Sequence, residues 1–136
     1  MLLAVLLVLV LLFGTITVHY LAMRHVTLRR AKEGDLQNFL LALVAMVGLH
    51  LSYVTAYAFA YALGLAAGIG EFQPLEPVSG TDLFIHSVVN FTTLGLGTIV
   101  PSGDLRLISA VEASNGFIVT SMSASVFFTA AQKKVS

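Results

Sequence analysis

The chain has 136 residues, one domain's worth, of which 57% are hydrophobic and only 10% charged, against the roughly 25% charged that is usual in soluble domains. Its mean hydropathy is +0.92, so too little polar side chain exists to coat a soluble globule, and the protein belongs in lipid. Zero net charge removes the bulk basic field that nucleic acid attracts, and the absence of cysteine removes disulfides, thiolate metal sites and thiol catalysis.

Met1 to about Met23 is the first apolar run, nearly unbroken from Leu2 to Phe13. A secretory signal would carry Lys or Arg ahead of its apolar core. None precedes this run, which continues through Thr15, Thr17 and Tyr20 toward Arg24, so an uncleaved membrane helix is expected. Lipid-facing packing around the following helix is its expected place. Arg24, Arg29, Arg30 and Lys32 come next, offset by Glu33 and Asp35. Residues 1–35 thus read as an additional N-terminal transmembrane helix with a basic loop, and 36–136 as the second unit.

Leu36 to about Ile69 is apolar apart from glycines and small polar residues. As one helix it would reach about 50 Å, against a hydrocarbon core of about 30 Å. It must tilt, protrude or end early, near Gly64 or Gly68. His50, Tyr53, Tyr57 and Tyr61 recur three and four apart on one face, a helix-packing stripe rather than a ligand site. Gly70 to Gly80, with Pro74 and Pro77, reads as a loop, and Ser79, Thr81 and Asp82 are candidate helix caps. The helical pattern over 82–92 is too short to span, since a transmembrane helix needs about twenty residues. It reads as re-entrant, because non-helical backbone survives at membrane depth only where protein buries it or water lines it. Asp104 to about Ala131 is the third expected span, rich in small residues that let helices approach closely. The expected fold is an all-α membrane protein with three transmembrane helices and a re-entrant helix and loop between the second and third.

The loop Thr92-Thr93-Leu94-Gly95-Leu96-Gly97, followed by Thr98 and Ile99-Val100-Pro101, resembles the selectivity filter of the potassium-channel pore family. That resemblance implies a pore domain over 36–136, with an outer helix 36–69, a pore helix 82–92, a filter 93–97 and an inner helix 104–131. Arg106 to Glu112 and Gly116 are also similar to small three-helix bacterial channel proteins. Rings of backbone carbonyls can replace the hydration shell of a potassium ion. By resemblance, K+ sites would be formed by the carbonyls of Thr93, Leu94, Gly95 and Leu96 and by the Thr93 hydroxyl, with Gly95 and Gly97 permitting the alternating backbone. Four copies would complete the ring, so a homotetramer is implied. Leu96 stands where the family usually has Tyr or Phe, and Thr98 where Asp is usual; both departures bear on selectivity and filter support. Thr92 shares that supporting role. Gly116, 19 residues past Gly97, lies near the family's hinge glycine, with close helix packing the alternative. Thr120, Ala124 and Phe128 continue that face as cavity-lining candidates.

Glu112 is the one acid inside a spanning segment, which makes it a functional hypothesis by default. It is expected to brace the short helix or the loop through Asn90 or His86; a carboxyl kept neutral by burial is the alternative. His19, His25, His50 and His86 raise haem or metal ligation as a rival, but they have no matched spacing between helices. No resident cofactor is expected, and no nucleophile–base set or phosphate loop points to an enzyme. With three spans, six of the seven Lys and Arg fall on one side, which the positive-inside rule makes cytoplasmic. The expected placement is multi-pass in the cell membrane, N-terminus outside and C-terminus cytoplasmic. The outer face would then carry Glu71, Glu76, Asp82 and Asp104 against Arg106, an acidic mouth that attracts cations. The expected function is a passive potassium-selective channel with K+ and the lipid bilayer as partners. A poorly selective cation channel, or a non-conducting assembly protein with a relic pore loop, is the alternative.

Overall fold

A computed structural model describes residues 1–24, 36–74 and 77–135, with only the backbone given at 130, 131 and 133–135. His25, Arg29, Arg30, Lys32, Glu33, Asp35 and Glu76 lie outside the described residues, as do the side chains of Lys133 and Lys134. Four helices make up the described chain: α1 (Leu2–Ala22), α2 (Leu36–Ala66), α3 (Gly80–Phe91) and α4 (Leu105–Val135). The expected all-helical character holds except for one feature. A two-residue strand β1 (Phe72–Gln73) pairs antiparallel with β2 (Val100–Pro101), Phe72 opposite Pro101. That ladder fastens the segment leaving α2 to the segment entering α4. Ser102 strengthens it, its backbone N–H donating to the Glu71 carbonyl at 2.7 Å.

Helix ends follow local chemistry. α2 stops at Ala66 rather than Ile69 because Gly68 turns left-handed, at φ +65°. The Ile69 N–H then reaches back to the Gly64 carbonyl and the Gly68 N–H to that of Leu65, the Schellman closure. α3 begins earlier than expected, with Ser79 as its cap. The Ser79 hydroxyl accepts from the Asp82 N–H at 3.2 Å while the Asp82 carboxylate accepts from the Ser79 N–H at 2.9 Å, a capping box. The Ser79 hydroxyl, which also donates to the Asp82 carboxylate at 2.6 Å, and then the Ser79 N–H hold the Asp82 carboxyl below the usual carboxylate range. A group with a depressed folded value stabilises above its unfolded value and loses that contribution as pH falls through the folded one. Asp82→Asn is therefore expected to fray the first turn of α3 at neutral pH, and the native chain to fray there only in acid. Amide exchange at Leu83 and Phe84 checks both.

α1 and α2 are each long and apolar enough to cross a membrane. α4 has 31 residues, also enough length, but it carries Arg106, Glu112, Asn115 and several serines. The core explains where those polar groups go. Ala4 and Val8 of α1, Tyr57 and Tyr61 of α2, Leu83 of α3, and Leu105 and Ile108 of α4 form one buried cluster beneath Phe72. A second cluster joins Tyr53 and Val54 to Phe91 and Val119. α1 packs chiefly against α4 and less against α2. The expectation of packing around the following helix alone is corrected here. The reason is a set of polar matches: Asn115 of α4 donates to Thr15 of α1 at 2.6 Å and to the Tyr57 hydroxyl at 3.1 Å. The tyrosine stripe on α2 is accordingly a packing face, with Tyr53, Tyr57 and Tyr61 all buried.

Candidate functional site

The 92–98 loop hangs from the C-terminal end of α3, and every residue in it is exposed in the single chain. Its start is set by how α3 ends. The Leu94 N–H donates to the Val89 carbonyl and the Thr93 N–H to the Asn90 carbonyl, both at 3.0 Å. This is the closure seen at the end of α2, but the left-handed position is Thr93, at φ +58°, not glycine. A β-branched residue there is an outlier that costs on the order of 1–3 kcal/mol and persists only where the surroundings hold it. Gly95 follows at φ +70°, while Leu94 and Leu96 are not left-handed. Hand therefore alternates residue by residue from Thr93 to Leu96. The expectation that Gly95 and Gly97 carry this alternation is corrected: Gly97 is not left-handed, because the closure of α3 starts the pattern two residues earlier.

Side chains around the loop divide into those held and those free. The Thr92 hydroxyl donates to the Val88 carbonyl at 2.7 Å, and the Thr93 hydroxyl to the Thr92 carbonyl at 2.7 Å. The Thr93 oxygen keeps its lone pairs free. Leu94 and Leu96 project outward, 62% and 77% exposed, and Thr98 is exposed beside them. Behind the loop lies a cavity of about 330 Å³ bounded by His86, Asn90, Ile99 and Ser109. The His86 ring packs edge-on against Tyr61 and Phe72, with centroids 5.1 and 5.0 Å away.

Glu112 sits fully buried behind α3. Its Oε2 accepts from the Tyr61 hydroxyl at 2.6 Å and from Asn90 Nδ2 at 2.7 Å, and its Oε1 meets the Ser87 hydroxyl. Asn90 also donates to the Ser109 carbonyl at 2.8 Å, and Ser87 to the Val54 carbonyl at 2.8 Å. Of the two partners expected for Glu112, Asn90 is one and His86 is not. Ser87 and Tyr61 went unanticipated. The available signal was Ser87 and Asn90 three apart, which places both on one face of α3 toward the lone acid. This carboxyl links α2, α3 and α4 at a single point.

Gly116 lies under the last residue of α3. A Cβ there would overlap the Phe91 carbonyl and stand 3.0 Å from the Phe91 ring. α4 runs unbroken through it. Thr120, Ala124 and Phe128 lie on the exposed side of α4, with Phe128 66% exposed. The histidines depart most from the expectation of no matched spacing. His19 and His50 stack with ring centroids 5.5 Å apart and planes 13° off parallel. His86 stands apart from them, and His25 lies outside the described residues.

A short apolar-flanked helix ending in an exposed loop of alternating hand, braced by long membrane-length helices, defines a pore-loop membrane protein. The family described as ion channel matches residues 5–133, so the chain belongs to the ion-channel family, and the matched region takes in all of α1 but its first three residues. No curated protein and no solved structure matches the chain.

Proposed function

We propose that the protein is a passive potassium-selective channel in which four copies bring their 93–97 loops together around one ion path. α1, α2 and α4 span the cell membrane, α3 is re-entrant, the N-terminus lies outside and the C-terminus is cytoplasmic. The observation that carries this reading is the alternating backbone from Thr93 to Leu96 in a loop left open by its own chain. Alternation of hand turns successive peptide units the same way, so the carbonyls of Thr93, Leu94, Gly95 and Leu96 can face one axis. Such carbonyls, with the free lone pairs of the Thr93 hydroxyl, replace the water that a potassium ion sheds. The C-terminal end of α3 directs its partial negative charge toward the same axis, which favours cations. Glu112, through Asn90 and Ser87, holds α3 in register behind the filter. Thr120, Ala124 and Phe128 line the cavity below it.

The poorly selective alternative is favoured by one observation. Leu96 has no polar group to secure the filter from behind, and its side chain is 77% exposed in the single chain.

Purified protein in liposomes tests the proposal, with flux and reversal potentials measured in mixed potassium and sodium. Potassium-dominated reversal supports it, and equal permeability puts the poorly selective channel in its place. Absence of flux from intact tetramers favours a structural role. Gly95→Ala sharpens the test. A left-handed L-residue costs roughly 1–2 kcal/mol, and a four-copy ring counts that cost four times. No atom of the same chain lies within 4 Å of the added methyl, so within one copy the effect is conformational alone. The variant is expected to assemble but to lose at least tenfold in flux.

A further inference from the structure

α1 is read from the sequence as an addition to the pore domain, yet at its far end it contributes a fully buried histidine to a site shared with α2 and α4. His19 Nε2 and His50 Nε2 each lie 3.2 Å from the same hydroxyl, Ser123 Oγ. That hydroxyl is also placed to donate to the Val119 carbonyl at 2.9 Å. A hydroxyl has one proton to give and two lone pairs to offer. With its proton on Val119, Ser123 is saturated when both imidazoles are neutral and both present Nε2–H. His19 Nδ1 is then left as a buried basic atom with no partner.

We propose that His19 and His50 form a proton-binding pair that holds α1 to the channel when neutral and releases its inner end when one proton is added. A proton shifts an equilibrium only if it binds one state better than the other. In the packed state a proton on His19 Nδ1 finds no acceptor, and its charge stands 5.5 Å from the neighbouring ring. With α1 displaced, that N–H reaches interfacial water, so the displaced state is the better base. Among the described residues no opposite charge faces the pair. α2 adds the Tyr53 hydroxyl, itself without a partner, α4 adds Ser123 and the Val119 carbonyl, and the end of α3 adds the Phe91 ring. Imidazole is the side chain whose ordinary titration falls between pH 5 and 8, and the displaced state approaches that ordinary behaviour.

The pair reaches the filter through packing. The His50 and Tyr53 rings lie 6.0 and 6.5 Å from Phe91, the last residue of α3 and two before Thr93. Releasing α1 loosens that wall at the base of the filter. The effect on flux rests on the channel reading above; the motion of α1 does not.

The test separates the two. The native chain has no cysteine, so nitroxides can be placed at Tyr20→Cys and Val44→Cys, both exposed, and diluted with unlabelled copies to leave one labelled chain per assembly. Between pH 8 and pH 5 in bilayers the distance between them is expected to lengthen, and the His19→Gln/His50→Gln double variant to hold its pH 8 distance. Nitrogen NMR of labelled histidine provides a second measurement on the unsubstituted protein. Both rings are expected as Nε2–H tautomers at pH 8, taking up one proton between them by pH 5. A distance that ignores pH in the native background, a shift that survives in the double variant, or two independent titrations would each overturn the pair. Potassium flux is expected to fall several-fold over the same interval and to lose that dependence in the double variant. If no flux appears at any pH, the channel reading fails while the distance and NMR results still decide the pair.

Discussion

Glu112→Ala is expected to abolish flux and to lower the stability of the protein in lipid by several kcal/mol, whereas Glu112→Gln stays close to the native protein. The difference follows from counting donors. Tyr61 and Asn90 both donate to Oε2, and the two oxygens facing each other across Oε1 and Ser87 need one proton between them. If the carboxyl donates to Ser87 and Ser87 donates to the Val54 carbonyl at 2.8 Å, every group is satisfied. A glutamine amide reproduces that pattern, its NH2 facing Ser87 and its carbonyl facing Tyr61 and Asn90. Alanine cannot. Ser87 then falls back on Val54, Asn90 on the Ser109 carbonyl, and the Tyr61 hydroxyl on the Ser109 side chain beside it. Three interhelical bonds at an average of about 0.6 kcal/mol in a bilayer amount to roughly 2 kcal/mol. Exchanging a carboxyl acceptor for a hydroxyl at Tyr61, and the space left by the buried side chain, add about 1–3 kcal/mol. Thermal unfolding in lipid and liposome flux on both variants check this. Native behaviour from Glu112→Ala would remove the brace from the account, and a Gln variant as damaged as Ala would make the carboxylate charge the operative feature.

Gly116→Ala is expected to be as damaging to flux, although it adds a single methyl group and costs less stability. The added carbon would overlap the Phe91 carbonyl, a backbone atom at the end of α3 that no rotamer change can move. Over-packing of this kind costs about 1–3 kcal/mol per chain. Any relief comes by pushing α3 away from α4, and the Thr93 loop travels with it. Loss of flux with retained membrane insertion is the expected result. Phe91→Ala should not rescue it, because the obstructing atom belongs to the backbone. A hinge role makes a different prediction, altered opening with unchanged thermal stability, so measuring both on one preparation separates the two.

Much of this architecture was legible in the sequence because it rests on short-range chemistry. Apolar run lengths marked the helices, and Ser79 stood among the cap candidates for α3, although the helix was expected from 82 and the capping box with Asp82 appeared only in the structure. Gly68 ended α2 by the left-handed turn that glycine permits. The loop around Gly95 could be located by its glycine pair together with the Thr pair, the Pro and the apolar segments around it, and by family resemblance, although its phase could not. Thr93 takes the left-handed position because α3 closes on it, and a β-branched residue is the last that local propensity would choose there.

What the residues could not announce was which helix faces met. α1 and α2 are apolar nearly all the way round, and such helices carry no stripe to say which side turns inward. The pairing was decided by a few polar atoms far apart in the chain: Asn115 on Thr15 and Tyr57, Tyr61 and Ser87 on Glu112, and His19 and His50 on Ser123. Each pair lies 25 or more positions apart, beyond the reach of any local pattern. By itself, then, the sequence determined a membrane protein, its helices and the position of its loop, because hydropathy and capping act within a few residues. Only the tertiary structure decided that α1 is built into the bundle, that Gly116 sits under Phe91 and that two histidines share one hydroxyl. In lipid, helices choose their neighbours by close fit and matched polar groups, and both exist only after the helices have met.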